Sequence, residues 1–127
     1  MEIIAHRGTW ESLDQQNTIQ SFYTSFEINV GIETDIRDLN GALVISHNYP
    51  INGFVNNIDE LFLLYIQNKS KKTLAINIKS DGLQELLKQK LNEYNINNYF
   101  VFDMSIPETL GYINKQLKVY TRQSEFE

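Results

Sequence analysis

His6 and His47 are the only two imidazoles in the 127-residue sequence, and each closes a short run of extended character. An imidazole with an ordinary pKa near ~6.5 can take or give a proton near neutrality, so two of them can serve as general base and general acid. Glu33 and Asp35 stand two apart in an alternating segment. In an extended chain that spacing puts both on one face, with Cα atoms about 6.6 Å apart. Carboxylates so placed repel each other and resist burial unless positive charge lies between them. A hard cation such as Mg²⁺ or Ca²⁺ takes oxygen ligands of this kind. The plainer reading is an ion pair with Arg37 or Lys79. Arg7, beside His6, offers a planar fork of donors that suits a phosphoryl oxygen, or else a salt bridge to Glu33 or Asp35. Gly8 lets the backbone approach a ligand closely, or simply makes a turn.

The elements that must hold these side chains follow from a period that switches between two and 3.6. Glu2 to Ala5 reads as a strand ending at His6-Arg7-Gly8. Asn17-Thr18 offers an N-cap for a helix carrying Ile19, Phe22, Tyr23 and Phe26, closed at Val30-Gly31. Gly31 to Arg37 is a second strand, with Glu33, Asp35 and Arg37 opposite Ile32, Thr34 and Ile36. Asn40-Gly41 signals a tight turn into a further extended segment, Ala42 to His47. Asn57 caps a helix over Ile58 to Gln67, and Thr73 to Lys79 is again a strand. Ser80-Asp81 opens a helix bearing Leu83, Leu86, Leu87, Leu91 and Tyr94. Tyr99 to Met104 is the next strand, and Ser105 with Glu108 has capping-box spacing for a helix through Leu117. Lys118 to Arg122 begins one more strand.

Four β/α units in series, with a fifth strand begun, predict an α/β protein built on a parallel sheet, as one domain over 1–127. In such sheets the active site lies at the C-terminal rim of the strands, which is where both histidines fall. A closed (β/α)₈ barrel takes about 250 residues. The expectation is therefore a partial TIM barrel of about four to five strands, or an open sheet. Open edges favour self-association.

Composition narrows the partners. Residues 1–64 hold nine acids against Arg7 and Arg37, within a net charge of −5. Lys69, Lys71 and Lys72 form a local cluster of the kind solvated loops carry, and no broad basic face emerges, which argues against nucleic acid. The absence of cysteine removes disulfides, thiolate catalysis and thiolate-bound metals. No run is long enough to span a bilayer and no secretory signal is visible, so the default is a cytoplasmic protein without stable membrane insertion.

His6-Arg7-Gly8, Asn17-Thr18, Gly31-Ile-Glu33-Thr-Asp35 and Val44-Ile-Ser-His47, in this order and spacing, resemble the glycerophosphodiester phosphodiesterase family. The likeness is good over residues 3–80 and looser beyond. That family is a TIM barrel of the phosphatidylinositol-phospholipase-C type, and the resemblance implies a chain about as long again. It implies Glu33 and Asp35 as ligands of Mg²⁺ or Ca²⁺, His6 and His47 as the proton-transfer pair, and Arg7 on the phosphate. Three positions depart from the pattern: Gln16 stands for a Glu, Asn48 for an Asp, and Asn77 for the third metal carboxylate, with Lys79 matching beyond it. An Asn carbonyl still ligates hard cations, with one negative charge fewer. Asp103, near the end of the following strand, is a possible replacement.

The function implied is a metal-dependent hydrolase of glycerophosphodiesters or a related polyol phosphodiester, with Lys79 and Arg7 toward the phosphate. The alternatives are a non-catalytic phosphate-binding relative, or a partial barrel inactive without its missing half. A phospholipase-D-toxin relative shares the strand-end pattern, but that class is secreted and does not suit this sequence.

Overall fold

The alternating runs become strands and the 3.6-period runs helices in the computed structural model, which describes residues 2–50 and 55–121. The order is β1 (Ile4–His6), α1 (Ile19–Glu27), β2 (Gly31–Leu39), β3 (Ala42–Ile45), α2 (Ile58–Gln67), β4 (Leu74–Ile78), α3 (Gln84–Glu93), β5 (Tyr99–Phe102) and α4 (Ile106–Asn114). The sheet runs β1-β2-β4-β5, all parallel, with β3 antiparallel to β2.

The core lies on one face of this sheet. Ile32, Ile36, Leu74, Ile76 and Val101 are buried there against Phe22, Leu61, Phe62, Leu87 and Tyr112 of the helices. The other face carries the chemistry. Register sets His6 beside Glu33, Glu33 beside Ala75, and Ala75 beside Phe100. The next row toward the C-terminal rim holds Asp35, Asn77 and Phe102.

β2 outruns its neighbours, and that matters for the site. Glu33 pairs with both β1 and β4, and Ile36 with both β3 and β4, so β1 and β3 share one edge of β2. β3 takes over that edge where β1 stops. The hairpin turns at Asn40 (φ 53°) and Gly41 (φ 81°), the left-handed pair that such a two-residue turn requires.

Helix starts follow the predicted caps in part. Thr18 accepts from Ser21 N at 3.1 Å, and Asn57 and Glu60 form a reciprocal capping box. Ser80 does not open α3. Its hydroxyl is spent on Asp38 of β2 at 2.9 Å, and the helix begins four residues later at Gln84. Ser105 caps α4, but Glu108 makes no capping box, because its carboxylate accepts from Gly82 N and Gln84 Nε2. That helix stops at Asn114 rather than Leu117. Gln116 turns left-handed (φ 64°) and sends Leu117 into the core. The strand expected over Lys118–Arg122 starts as a parallel bridge from Val119 to Val101, with Arg122 outside the described residues.

Candidate active site at the strand ends

β1 ends on His6, and Arg7 turns left-handed (φ 58°) immediately after it. That conformation costs a non-glycine residue about 1 kcal/mol or more. It is held by Arg7 N donating to Glu33 O at 2.8 Å and Asn17 N donating to Arg7 O at 2.9 Å. Gly8 follows at φ 84°, and a Cβ there would collide with Ser21, so its role is a turn packed on α1.

Asp35 is the centre of the site. It is only 2% exposed, and its carboxylate is met from three sides. Arg7 Nε lies 3.0 Å from Oδ2, Asn17 Nδ2 donates to Oδ2 at 2.9 Å, and Lys79 Nζ lies 3.9 Å from Oδ1. The ion-pair reading of Arg7 and Lys79 is thus present in the molecule, whereas Arg37 instead donates to His47 O at 3.0 Å. Lys79 also reaches Asp103 Oδ2 at 3.4 Å. One row below, Glu33 Oε2 is 3.3 Å from His6 Nε2. A carboxylate oxygen only accepts, so a hydrogen bond between the two requires the proton on Nε2.

His47 reaches this rim just past the return segment that the Asn40-Gly41 turn signalled, a strand antiparallel to β2. The β2–β3 hairpin projects past the rim and doubles back, Ser46 N donates to Asp35 O at 3.0 Å, and His47 follows. Its Nδ1 lies 3.0 Å from Asn48 Oδ1. An amide oxygen also only accepts, which leaves Nε2 of a neutral His47 with a free lone pair.

Two cavities flank Asp35. One, of about 430 Å³, is lined by Arg7, Gln16, Asn17 and His47 among others. Arg7 NH1 donates to Gln16 Oε1 at 3.1 Å, a neutral acceptor that leaves the guanidinium charge uncancelled on that side. The second, of about 400 Å³, is lined by Asn77, Phe100, Phe102, Asp103, Tyr120 and Thr121. Asn77 is 8% exposed, and its Oδ1 has no hydrogen-bond partner among the described residues.

Whether these residues suit a divalent cation turns on that oxygen. Among the described residues, no three carboxylate or imidazole groups converge into a metal-binding cluster. An ion near Asp35 and Glu33 therefore needs Asn77 Oδ1 as its third protein oxygen. A buried acceptor without a donor is costly, and a hard cation is one way to satisfy it. The oxygens are of the hard type such an ion takes, but those of Asp35 are already engaged by Arg7, Asn17 and Lys79.

No family model matches the chain, and no curated protein matches it in sequence. Solved structures do. A glycerophosphodiester phosphodiesterase from Parabacteroides distasonis superposes with a TM-score of 0.78 at 19% identity, over 94% of this chain and 64% of that one. One from Agrobacterium tumefaciens gives 0.68 at 14%, over 93% and 65%. Over the stretch it covers, the chain shares the fold of these two proteins. Its four parallel β/α units are an arc of that TIM barrel, as the resemblance implied. The chain spans less than two thirds of the length of either solved protein.

Sequence reasoning missed Asn17 as a site residue. Its backbone is left-handed (φ 58°), Thr34 Oγ1 donates to its Oδ1 at 3.3 Å, and its amide is thereby aimed at Asp35. The signal was available, since Asn is the residue that best tolerates this conformation besides Gly. With Thr18 next to it taking the cap, the Asn side chain was free for other work.

Proposed function

We propose that this protein hydrolyses phosphodiesters of the glycerophosphodiester class at the rim around Asp35. The observation that carries the reading is Arg7. Its guanidinium is anchored on buried Asp35, yet it lines an open polar cavity together with His47. An anion entering there meets a fixed fork of donors, which suits a phosphoryl group.

His47 accepts the proton of the attacking hydroxyl at Nε2, and His6, as its imidazolium beside the Glu33 carboxylate, gives one proton to the departing alkoxide and is left neutral. In a glycerol diester the adjacent hydroxyl oxygen bonds to phosphorus as the P–O bond to the leaving alcohol breaks, giving a cyclic phosphate. Water then opens the ring with both histidine roles reversed. Arg7 and Lys79 offset charge on the non-bridging oxygens. Glu33, Asp35 and Asn77 would hold Mg²⁺ or Ca²⁺, which when bound adds positive charge at the same oxygens.

The test is release of alcohol from glycerophosphodiesters by the purified protein with Mg²⁺ or Ca²⁺. His6→Ala and His47→Ala should each lower kcat about 10²-fold or more, with fold retained by circular dichroism. Full activity in either variant removes the mechanism.

A non-catalytic phosphate-binding role is the second reading. It is favoured by the neutral Asn48 on His47 Nδ1, where a carboxylate would have strengthened the base. It expects phosphate-ester binding and no turnover with any cation.

A further inference from the structure

Resting on the phosphodiesterase reading, we infer that the cavity over β4 and β5 takes the leaving alcohol of the diester, and that this alcohol carries a neutral, flat, apolar group held against Phe102.

Two cavities of different character meet at the cation pair, since Arg7 and Lys79 both converge on Asp35. The cavity lined by Arg7 is walled mostly by polar side chains such as Gln16, Asn17, Ser46 and Asn48, with His47 among them. It suits the hydroxyl-bearing glycerol arm, whose attacking oxygen gives its proton to His47. The other cavity is walled by Phe100, Phe102 and Tyr120. Lys79 stands beside it, 3.4 Å from the lining residue Asp103. A phosphate held by the two cations thus has a polar cavity for one arm and an aromatic one for the other.

Register fixes the reach. Phe102 pairs with Asn77, and Asn77 with Asp35, in one row of the sheet. At the usual strand spacing Phe102 lies about 10 Å from Asp35, Cα to Cα. An ester arm leaving a phosphate at Lys79 covers part of that span and arrives on the ring. Its bridging oxygen stays at phosphorus, so protonation by His6 is unaffected by where the carbon part lies.

The wall is held in place from several sides. Val101 is buried among the helices, which turns its neighbours Phe100 and Phe102 toward the site face. Tyr120 N donates to Val101 O at 2.9 Å, and the Tyr120 ring stacks on Phe100 with centroids 4.1 Å and planes 10° apart. Phe100 in turn lies 5.7 Å from Phe102. Among the described residues Phe102 meets no other ring, and it is only part-buried although it shares a row with Asp35 and Asn77. Water covers such a surface poorly, and a flat apolar group covers it well. Aromatic faces also attract cations. Here the Lys79 ammonium repels a second positive charge, which leaves a neutral group as the better match.

Binding of two inert diesters tests this without turnover, in which phenol would also be the better leaving group. Dimethyl phosphate and methyl phenyl phosphate carry the same single charge, and a ring replaces one methyl. Titrated calorimetrically into the 127-residue protein in one Mg²⁺-containing buffer, the phenyl ester should bind about tenfold more tightly. Phe102→Leu keeps apolar volume but loses the flat face, and should bring the two diesters within about threefold of each other. Phe102→Ala should bring them level, with circular dichroism showing that the variants fold. Equal affinities in the parent protein, or a phenyl preference that survives both substitutions, overturns the aromatic subsite and leaves the phosphate site standing. Failure of both diesters to bind the parent overturns the phosphodiesterase reading with it.

Discussion

At the residue scale Asn17 adds to the two cations a neutral donor aimed at the Asp35 carboxylate. Arg7 is steadied by Gln16 and Lys79 is shared with Asp103, while Asn17 is oriented by Thr34, which is fully buried. A hydrogen bond to a charged group contributes about 1.5–3 kcal/mol. Asn17→Gly keeps the left-handed backbone and should therefore cost about 2 kcal/mol in urea unfolding, all of it from the side chain. Asn17→Ala should cost about 1 kcal/mol more, because Ala resists that backbone. A glycine variant as stable as the parent would show that Asp35 needs no such guide. Glu33 and Asp35 were legible as a pair because strand period two puts alternate residues on one face, and His6 and Arg7 were legible by their place at a strand end. An ion pair from Arg7 to one of the two acids was among the readings the sequence offered; which acid Arg7 and His6 would each take was not legible. Side-chain partners depend on which strand lies beside which, and no local pattern states that.

At the scale of elements, the sheet is fastened at the end opposite the site. Glu2, just before β1, reaches across β2 to Thr73, just before β4, with its oxygens 2.6 Å from Thr73 N and 2.7 Å from Thr73 Oγ1. Gly31 of β2 lies beneath that crossing, where a Cβ would sit 2.6 Å from Thr73 O. The bond from the Thr73 hydroxyl, and then that from its backbone N–H, hold the Glu2 carboxyl below its usual range. A lowered carboxyl pKa stabilises the folded state above the unfolded value, and the contribution is lost as pH falls through the folded one. Glu2→Gln should thus be less stable than the parent at pH ~7, and the gap should close as pH falls from about 5 toward 2. Thermal unfolding of both proteins across that range checks it, and a pH-independent gap would refute the linkage. Long-range contacts of the kind Glu2 makes, 71 residues away in sequence, also explain the displaced start of α3 and the missing capping box of α4. Ser80 and Glu108 have the spacing of caps, but partners from distant strands and turns claimed their oxygens first. Thr18 and Asn57 had no such rivals and cap as read.

Across the whole molecule, periodicity was enough to foresee a parallel arc, because each β/α unit buries its own strand and helix faces against the next. It was not enough to foresee how β3 would deliver His47, since that depends on β2 running past β1. The same arc leaves β1 with no partner on its outer edge among the described residues. Ile3 and Ile4 are 66% and 39% exposed there, and Tyr120 on the far side is 63% exposed while stacked on Phe100 at 4.1 Å. A strand edge with bare N–H and C=O groups beside exposed apolar side chains is a template for another strand, and natural edges are commonly blunted with charge. Neither Ile3 nor Ile4 supplies any. A second copy can pair along β1, so the 127-residue chain should self-associate at concentrations in the range of about 10–100 µM, where exposed edges commonly drive association. Ile4→Lys places a charge at the first residue of that strand, where Ile4 is now exposed, and should shift sedimentation velocity profiles toward monomer. If the parent chain sediments as a monomer throughout, β1 is protected by something other than pairing, and the edge is not the association site. If both proteins associate equally, the contact lies elsewhere, with the Phe100–Tyr120 stack the next surface to charge.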